Sequence, residues 1–489
     1  MNSSRASRNA VVSAMQTVAS AGLMFFFYRR ILDVVGADGL GIWAVVLAST
    51  GAVRIGDLGL TGSAVKYTAG RLANGANDEA AQIIETTVLT VAVVGAVLAV
   101  GGYWLLNAVL PTFIPIEGLE VARDLLPLAV VSLWFAIVAG AIQSGLDGCG
   151  RIDLRNAVAF VAQLVYVGLG WFWVSSWGLQ GLAVAQLIQG AFGALACWII
   201  LRSVLPETPV LPWRWRRSLF QEMLSYGIQY QALSVIRLLY EPVTKALMSR
   251  FGGLDAAGYY EMATLIWTKL RSLIVAAQQA LTPEVAMLEE TDPEAVDAVY
   301  EKANGLNWYL SIPLFTILIA MTPLVSMIWI GRYEETFVIF AVLLGAGWFV
   351  NALSGPAFFV LLGTGQMGGV VVSHLTTGVV NALGGVLLGM TYGSSGVALA
   401  WVLALTAGAV HLLIRLQRDR GVPFRIPPAT VPLAWSACGA LVGAAVVFLL
   451  RSSAAGAIGA AVTAVTIIAV PVWRLPYRQS VLNVFRRAR

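Results

Sequence analysis

The sequence predicts an all-α polytopic membrane protein of about 14 transmembrane helices, built as two repeat-related six-helix lobes plus two C-terminal helices. Three observations carry this. Of 489 residues, 58% are hydrophobic and only 12% charged, and the mean hydropathy is +0.79, which no soluble composition approaches. Apolar runs of about 20 residues, the length that crosses a hydrocarbon core of about 30 Å, recur along the whole chain. Short motifs in the first half return in the second at a nearly constant offset.

The runs lie near 9–31, 39–62, 84–106, 124–145, 156–175, 180–202, 220–248, 257–282, 305–330, 337–362, 367–391, 395–416, 430–450 and 454–473. None shows the apolar-polar alternation of outer-membrane strands. Backbone in lipid must be hydrogen-bonded within its own segment, so the runs are helices. The first run contains Gln16 and Thr17 and ends without a small-residue cleavage pattern, so it is expected to stay in the protein.

The repeat opens with Gly36-Ala37-Asp38-Gly39-Leu40-Gly41-Ile42-Trp43. Gly253-Leu254-Asp255-Ala256-Ala257-Gly258-Tyr259-Tyr260 answers it 217 residues later. Gly148-Cys149-Gly150-Arg151 returns as Gly363-Thr364-Gly365-Gln366, and Gly178-Leu179-Gln180-Gly181 as Gly393-Ser394-Ser395-Gly396, both at 215. Asp78-Glu79-Ala80 likewise faces Pro293-Glu294-Ala295. Anchors in one order at one offset imply two homologous six-helix halves, with a site expected where the halves face each other. The lobes are expected at 1–205 and 220–420, with a cytoplasmic linker at 206–219. Residues 421–489 would supply two additional helices and a basic cytoplasmic tail.

In the linker, Pro206, Pro209 and Pro212 break any helix. Trp213-Arg214-Trp215-Arg216-Arg217 then reads as a basic, aromatic interface anchor in preference to a lipid-diphosphate docking patch. The acidic stretch from Glu289 to Glu301 reads as a solvated helix. With both termini placed in the cytoplasm, inside loops and tails hold 20 of the 31 Lys and Arg, outside loops six, and spans five. By the positive-inside rule this orients both ends to the cytoplasm.

The charges inside spans point to function, because a charge near the bilayer centre costs about 2.5–3.5 kcal/mol even on lenient insertion scales. Arg237, Glu241 and Lys245, spaced by four, would form one stripe of the seventh span. Glu261, Thr264, Thr268 and Arg271 would form one on the eighth, with Lys269 beside it. The first span adds Gln16 and the second Arg54 and Asp57. Every charge expected to be buried therefore falls on spans one, two, seven and eight. Five cations against three anions leave a surplus of two positive charges. Arg54 and Arg271, also 217 apart, form a repeat-related pair of buried arginines with no evident acid for each. An anion-binding cavity is expected, with Arg54, Arg271, Arg237, Lys245, Lys269 and Gln16 lining it. Asp57, Glu241 and Glu261 are expected in coupling or gating, and Pro242, which removes a helix hydrogen bond, as a hinge.

Other chemistry has little support. Cys149, Cys197 and Cys438 read as packing residues with no CxxC, His374 and His411 as interior residues without acidic neighbours, and no metal or cofactor site is expected. The glycine pairs follow no strand, so they read as tight turns and not as nucleotide loops. No P-loop, nucleophile or acid-base dyad suggests an enzyme, no nucleic-acid partner is expected, and the whole points to a transporter.

Leu32-Asp33-Val34-Val35-Gly36-Ala37-Asp38-Gly39-Leu40-Gly41-Ile42-Trp43, then Asp57-Leu58-Gly59-Leu60, resembles the polysaccharide-transport flippases of the multidrug/oligosaccharidyl-lipid/polysaccharide exporter superfamily. Gly148 to Asn156 resembles that family's loop after the fourth helix. The resemblance implies a V-shaped fold with a cationic cavity that opens alternately to each side of a bacterial cytoplasmic (inner) membrane. The implied cargo is undecaprenyl-diphosphate-linked oligosaccharide, an O-antigen or exopolysaccharide repeat unit. Implied partners are membrane lipids and the polysaccharide polymerase and chain-length machinery. A peptidoglycan-precursor flippase would want the same cavity. An ion-coupled multidrug exporter of the superfamily would keep a carboxylate in the first span, where this chain has Gln16 and hydroxyls. A glycan polymerase or ligase would carry a large outer loop, and none is present.

Overall fold

The computed structural model describes residues 3–51, 56–237, 240–279, 281–422, 425–450, 453–475 and 477; the side chains described exclude those of 3–15, 17, 226, 228–234, 237, 276, 277 and 283. The described residues form helices α1 (Ser3–Thr50), α2 (Leu60–Ala73), α3 (Asn77–Val109), α4 (Ile116–Gly148) and α5 (Ile152–Val204). There follow α6 (Arg217–Arg237), α7 (Glu241–Gln278), α8 (Leu281–Thr291), α9 (Ala295–Ala320) and α10 (Thr322–Trp329). The chain ends with α11 (Glu335–Leu353), α12 (Gly355–Gly363), α13 (Met367–Arg420), α14 (Val431–Leu450) and α15 (Ala454–Arg474). No strand occurs among the described residues.

Nine helical runs among the described residues are long and apolar enough to cross a membrane. Three helices that contain them, α1, α5 and α13, of 48, 53 and 54 residues, are each long enough for two crossings. At about 1.5 Å per residue the 53 residues of α5 would be far longer than one hydrocarbon core is thick. Each of the three is broken by a glycine outside helical φ/ψ: Gly36, Gly178 and Gly393. Two further runs, from α6 into α7 and from α7 into α8, carry the intramembrane charges and so fall below the apolar criterion. With these the fourteen expected crossings are reached.

The repeat is written in the backbone as well as in the motifs. Gly36 (φ 72, ψ −179) and Gly253 (φ 84, ψ 177) share one conformation, Gly178 (φ 55, ψ −134) and Gly393 (φ 61, ψ −145) another. A side chain at positive φ is strained, which is why glycine stands at these breaks. The packing repeats too. A Cβ on Gly148 would meet Val65 O and Thr68, and one on Gly363 would meet Thr282 O and Val285, which are the same positions 217 residues on.

Two compact units emerge. The first comprises Arg30–Gly258. Its core joins α2 through Leu60, α3 through Ile83 and Ile84, α4 through Leu146, α5 through Leu201 and α6 through Met223. The second comprises Met1–Arg29 and Tyr259–Arg489. There α14 and α15 lie on α9 through Tyr309, Ile312, Ala440 and Ile468, while Val285, Val360 and Leu412 join α8, α12 and α13. The start of α1 is held in this unit: Trp329 Nε1 donates to Phe25 O at 2.7 Å and the two rings stack at 4.8 Å. The units therefore divide the chain elsewhere than the sequence repeat does, because packing groups residues by contact and the repeat groups them by descent.

Candidate functional site

In the unit of Met1–Arg29 and Tyr259–Arg489, α1 and the second part of α7 present polar residues to each other. Lys269 Nζ donates to Ser20 Oγ at 3.1 Å, and Tyr28 Oη donates to Glu261 Oε1 at 3.2 Å. The contacts run in opposite order along the two helices, so the segments are antiparallel. Eight residues on each helix, about two turns, separate the contacts, which puts each set on one face. Gln16 lies one turn before Ser20 and is half-buried. Lys269, also half-buried, makes no ion pair with any described residue.

Arg271, read from the sequence as buried, is exposed, and its Cζ stands 5.1 Å from the centroid of the Trp348 ring. That is cation–π distance.

In the unit Arg30–Gly258, Glu241, Lys245 and Asp57 are engaged by near neighbours. Lys245 is 3% exposed and its Nζ lies 2.5 Å from Glu241 Oε1, an i,i+4 ion pair in which the glutamate is the exposed member. The Asp57 carboxylate accepts from Thr61 N at 3.2 Å and Thr61 Oγ1 at 2.7 Å, which satisfies a donor in the first turn of α2. Of the expected stripe, Glu241 and Lys245 lie on α7, which begins after a turn at Tyr240. Pro242 thus occupies the first turn of a new helix, where its missing N–H costs little, and not a helix interior. Arg54 and the Arg237 side chain lie outside the described residues.

Not all buried charge falls on spans one, two, seven and eight. Glu85 of α3 is fully buried and draws in the linker. Its Oε2 accepts from Trp213 N (3.2 Å) and Arg214 N (3.1 Å), and its Oε1 from Arg214 Nε (2.7 Å), with Arg214 Nη2 at 2.6 Å. Arg214 also reaches Asp78 at 2.6 Å. Against the partial desolvation of Arg214, hydrogen bonds to Glu85 and Asp78 hold its guanidinium above its ordinary pKa. Trp215 Nε1 donates to Thr90 Oγ1 at 3.0 Å. The basic linker is a docked strap. The signal was present, an acid inside Ile83-Ile84-Glu85 and an arginine between tryptophans, but no sequence spacing connects residues so far apart. The acidic stretch is similarly engaged: Arg420 binds Glu289 at 2.7 Å and Asp297 at 3.1 Å. Of the cysteines, Cys438 is exposed where packing was expected. Among the described residues no cluster of His, Cys, Asp and Glu is arranged to hold a metal.

Residues 77–337 match the sequence profile of a family described as polysaccharide biosynthesis protein. No protein of curated function matches the chain in sequence. Among solved structures the fold resembles lipid II flippase MurJ in an inward closed conformation, with a TM-score of 0.78 at 13% identity over 96% of this chain and 100% of that one. It also resembles an inward-facing multidrug resistance MATE family transporter of the MOP superfamily, with a TM-score of 0.68 at 14% identity over 84% of this chain and 98% of that one. A MOP superfamily transporter from Pyrococcus furiosus, described as having a binding pocket of reverse polarity, aligns with a TM-score of 0.56 at 14% identity over 85% of this chain and 96% of that one.

Proposed function

Because the chain belongs to the polysaccharide biosynthesis protein family, we propose that it is a flippase moving undecaprenyl-diphosphate-linked oligosaccharide, an O-antigen or exopolysaccharide repeat unit, across a bacterial cytoplasmic membrane. The observation that carries the reading is Lys269, a cation in a span whose partner is a hydroxyl and no described carboxylate. Arg271 stands two residues on, and Gln16 one turn from Ser20. A diphosphate bears two anionic groups, and planar guanidinium offers it bidentate hydrogen bonds that a point charge does not.

The working halves are the repeat lobes, 1–205 and 220–420, joined by 206–219 and followed by 421–489. Arg54 and Arg271 bind the diphosphate from repeat-related positions. Lys269 and Arg237 supply the surrounding field, while Lys245, already paired with Glu241, adds a weaker share. Alternating access exposes these groups to one side of the membrane and then the other, with Asp57, Glu241 and Glu261 as candidate coupling residues and Pro242 near the moving joint. Both termini lie in the cytoplasm. Polymerase and chain-length machinery receive the unit outside, and the protein itself performs no bond chemistry.

A second reading, a peptidoglycan-precursor flippase, is favoured by one observation: the likeness to the solved lipid II flippase spans 96% of the chain, whereas that to the MATE transporter spans 84%. Both cargoes carry a lipid diphosphate. Deleting the gene and identifying the lipid-linked glycan that accumulates on the cytoplasmic side separates the two. A polysaccharide repeat unit supports the first reading and a peptidoglycan precursor the second. Unchanged lipid-linked glycans with raised sensitivity to organic cations would overturn both in favour of drug export.

A further inference from the structure

The unit Arg30–Gly258 contains a cavity of about 230 Å³ between α4 and the two parts of α5. Its polar lining is Ser132 and Gln143 from α4 with Gln186 and Gln189 from α5, among alanines and glycines. No lining residue is charged. Gln186 Oε1 is buried and has no hydrogen-bond partner among the described residues. Ser132 Oγ donates to Leu128 O at 2.7 Å, which leaves its lone pairs to accept. Carboxamides within spans are costly and mark sites of function when no internal partner takes them.

The second half of the chain shows that the fold does not require them. At the 215 offset, Gln143 becomes Phe358, Gln186 becomes Trp401, Gln189 becomes Ala404 and Ser132 becomes Gly347. There the crossing is filled. Trp401 is 6% exposed and lies 6.0 Å from the Trp348 ring, and Phe358 meets His374 at 6.1 Å. A Cβ on Gly347 would touch Leu405, the counterpart of Gly190, at 3.2 Å. One backbone arrangement is thus closed by rings in one copy and left open and amide-lined in the other.

We propose that this cavity binds an uncharged, hydroxyl-bearing ligand about one sugar ring in size, supplied by the saccharide part of the cargo. Each carboxamide donates and accepts, which matches a hydroxyl, and none carries a charge to offset that of an ion. The volume holds several waters of about 30 Å³ each yet falls below the roughly 300 Å³ at which drug-sized sites begin, so one ring fits and an oligosaccharide does not. The assignment rests on the reading of the chain as a carrier of lipid-linked glycan. Phospholipid glycerol presents the same hydroxyl chemistry and is the competing source.

The test uses the full chain and native mass spectrometry. The probes are the glycan-bearing lipid from the deletion strain, bare undecaprenyl diphosphate, and phosphatidylglycerol. Wild type is expected to bind the glycan-bearing lipid about tenfold more tightly than the bare carrier, and Gln186→Leu and Gln189→Ala to erase that preference while binding the bare carrier as wild type does. Gln143→Leu, on the facing helix, serves if either variant misfolds. A preference that survives in the variants overturns the inference, as does loss of phosphatidylglycerol with the preference intact. A wild type that binds neither diphosphate lipid overturns the flippase reading and this inference with it.

Discussion

Gly41 and Gly258, 217 residues apart in the sequence, pack backbone to backbone, each against the chain segment that begins the other's repeat copy. A Cβ on Gly41 would lie 1.8 Å from Leu254 O, and one on Gly258 would lie 2.3 Å from Ala37 O. Ala37 and Leu254 are themselves repeat partners, so each copy does to the other what the other does to it. The contact falls within the unit Arg30–Gly258.

Gly41→Ala and Gly258→Ala should each destabilise by about 1–3 kcal/mol, since the intruding atom meets backbone that no rotamer change moves away. Thermal unfolding in detergent checks this. Gly140→Ala, which would meet nothing within 4 Å, should leave the midpoint unchanged. Equal midpoints for all three variants would refute the close-crossing account.

Glu85 predicts the behaviour of the linker. Glu85→Ala takes the acceptor from the backbone N–H groups of Trp213 and Arg214 and leaves the Arg214 guanidinium to Asp78 alone among carboxylates, a loss of about 1–3 kcal/mol. Limited proteolysis near Trp213 should be faster in the variant. Arg217→Ala, outside this network, should be cut at the wild-type rate.

Arg54→Ala and Arg271→Ala should each abolish glycan export at normal protein level, with lysine at either position rescuing only in part, because the charge is kept and the fork is lost. Lys269→Ala should weaken export as well, while Lys269→Arg preserves it. Complementation of the deletion strain is the measurement. Normal export by both arginine-to-alanine variants would return these charges to a scaffold role.

A diphosphate leaving a negatively charged interior gains about 2.3 kcal/mol per charge per 100 mV. Collapse of the membrane potential in vesicles should therefore slow flipping. Glu261→Gln, which keeps an acceptor for Tyr28, should uncouple transport from the potential without unfolding the protein if Glu261 is a coupling group. Rates indifferent to the potential, with no other gradient present, would remove this mechanism.

Reporter fusions in the 206–219 linker and after Arg474 should both report cytoplasm, given 20 Lys and Arg on one side against six on the other. A periplasmic signal at either place would overturn the orientation.

The membrane class, the crossings and the repeat were all legible in the chain, because each depends on local quantities: apolar run length, glycine positions and a constant offset. Even the breaks at Gly36, Gly178, Gly253 and Gly393 were announced by motif glycines, since positive φ excludes most other residues there. Partner choice was not legible. Glu85 and Arg214 find each other across 129 positions, Lys269 and Ser20 across 249, and sequence spacing constrains charges only within a few helical turns. Composition and periodicity decided what the chain is, and tertiary packing alone decided which buried charge meets a carboxylate and which meets a hydroxyl.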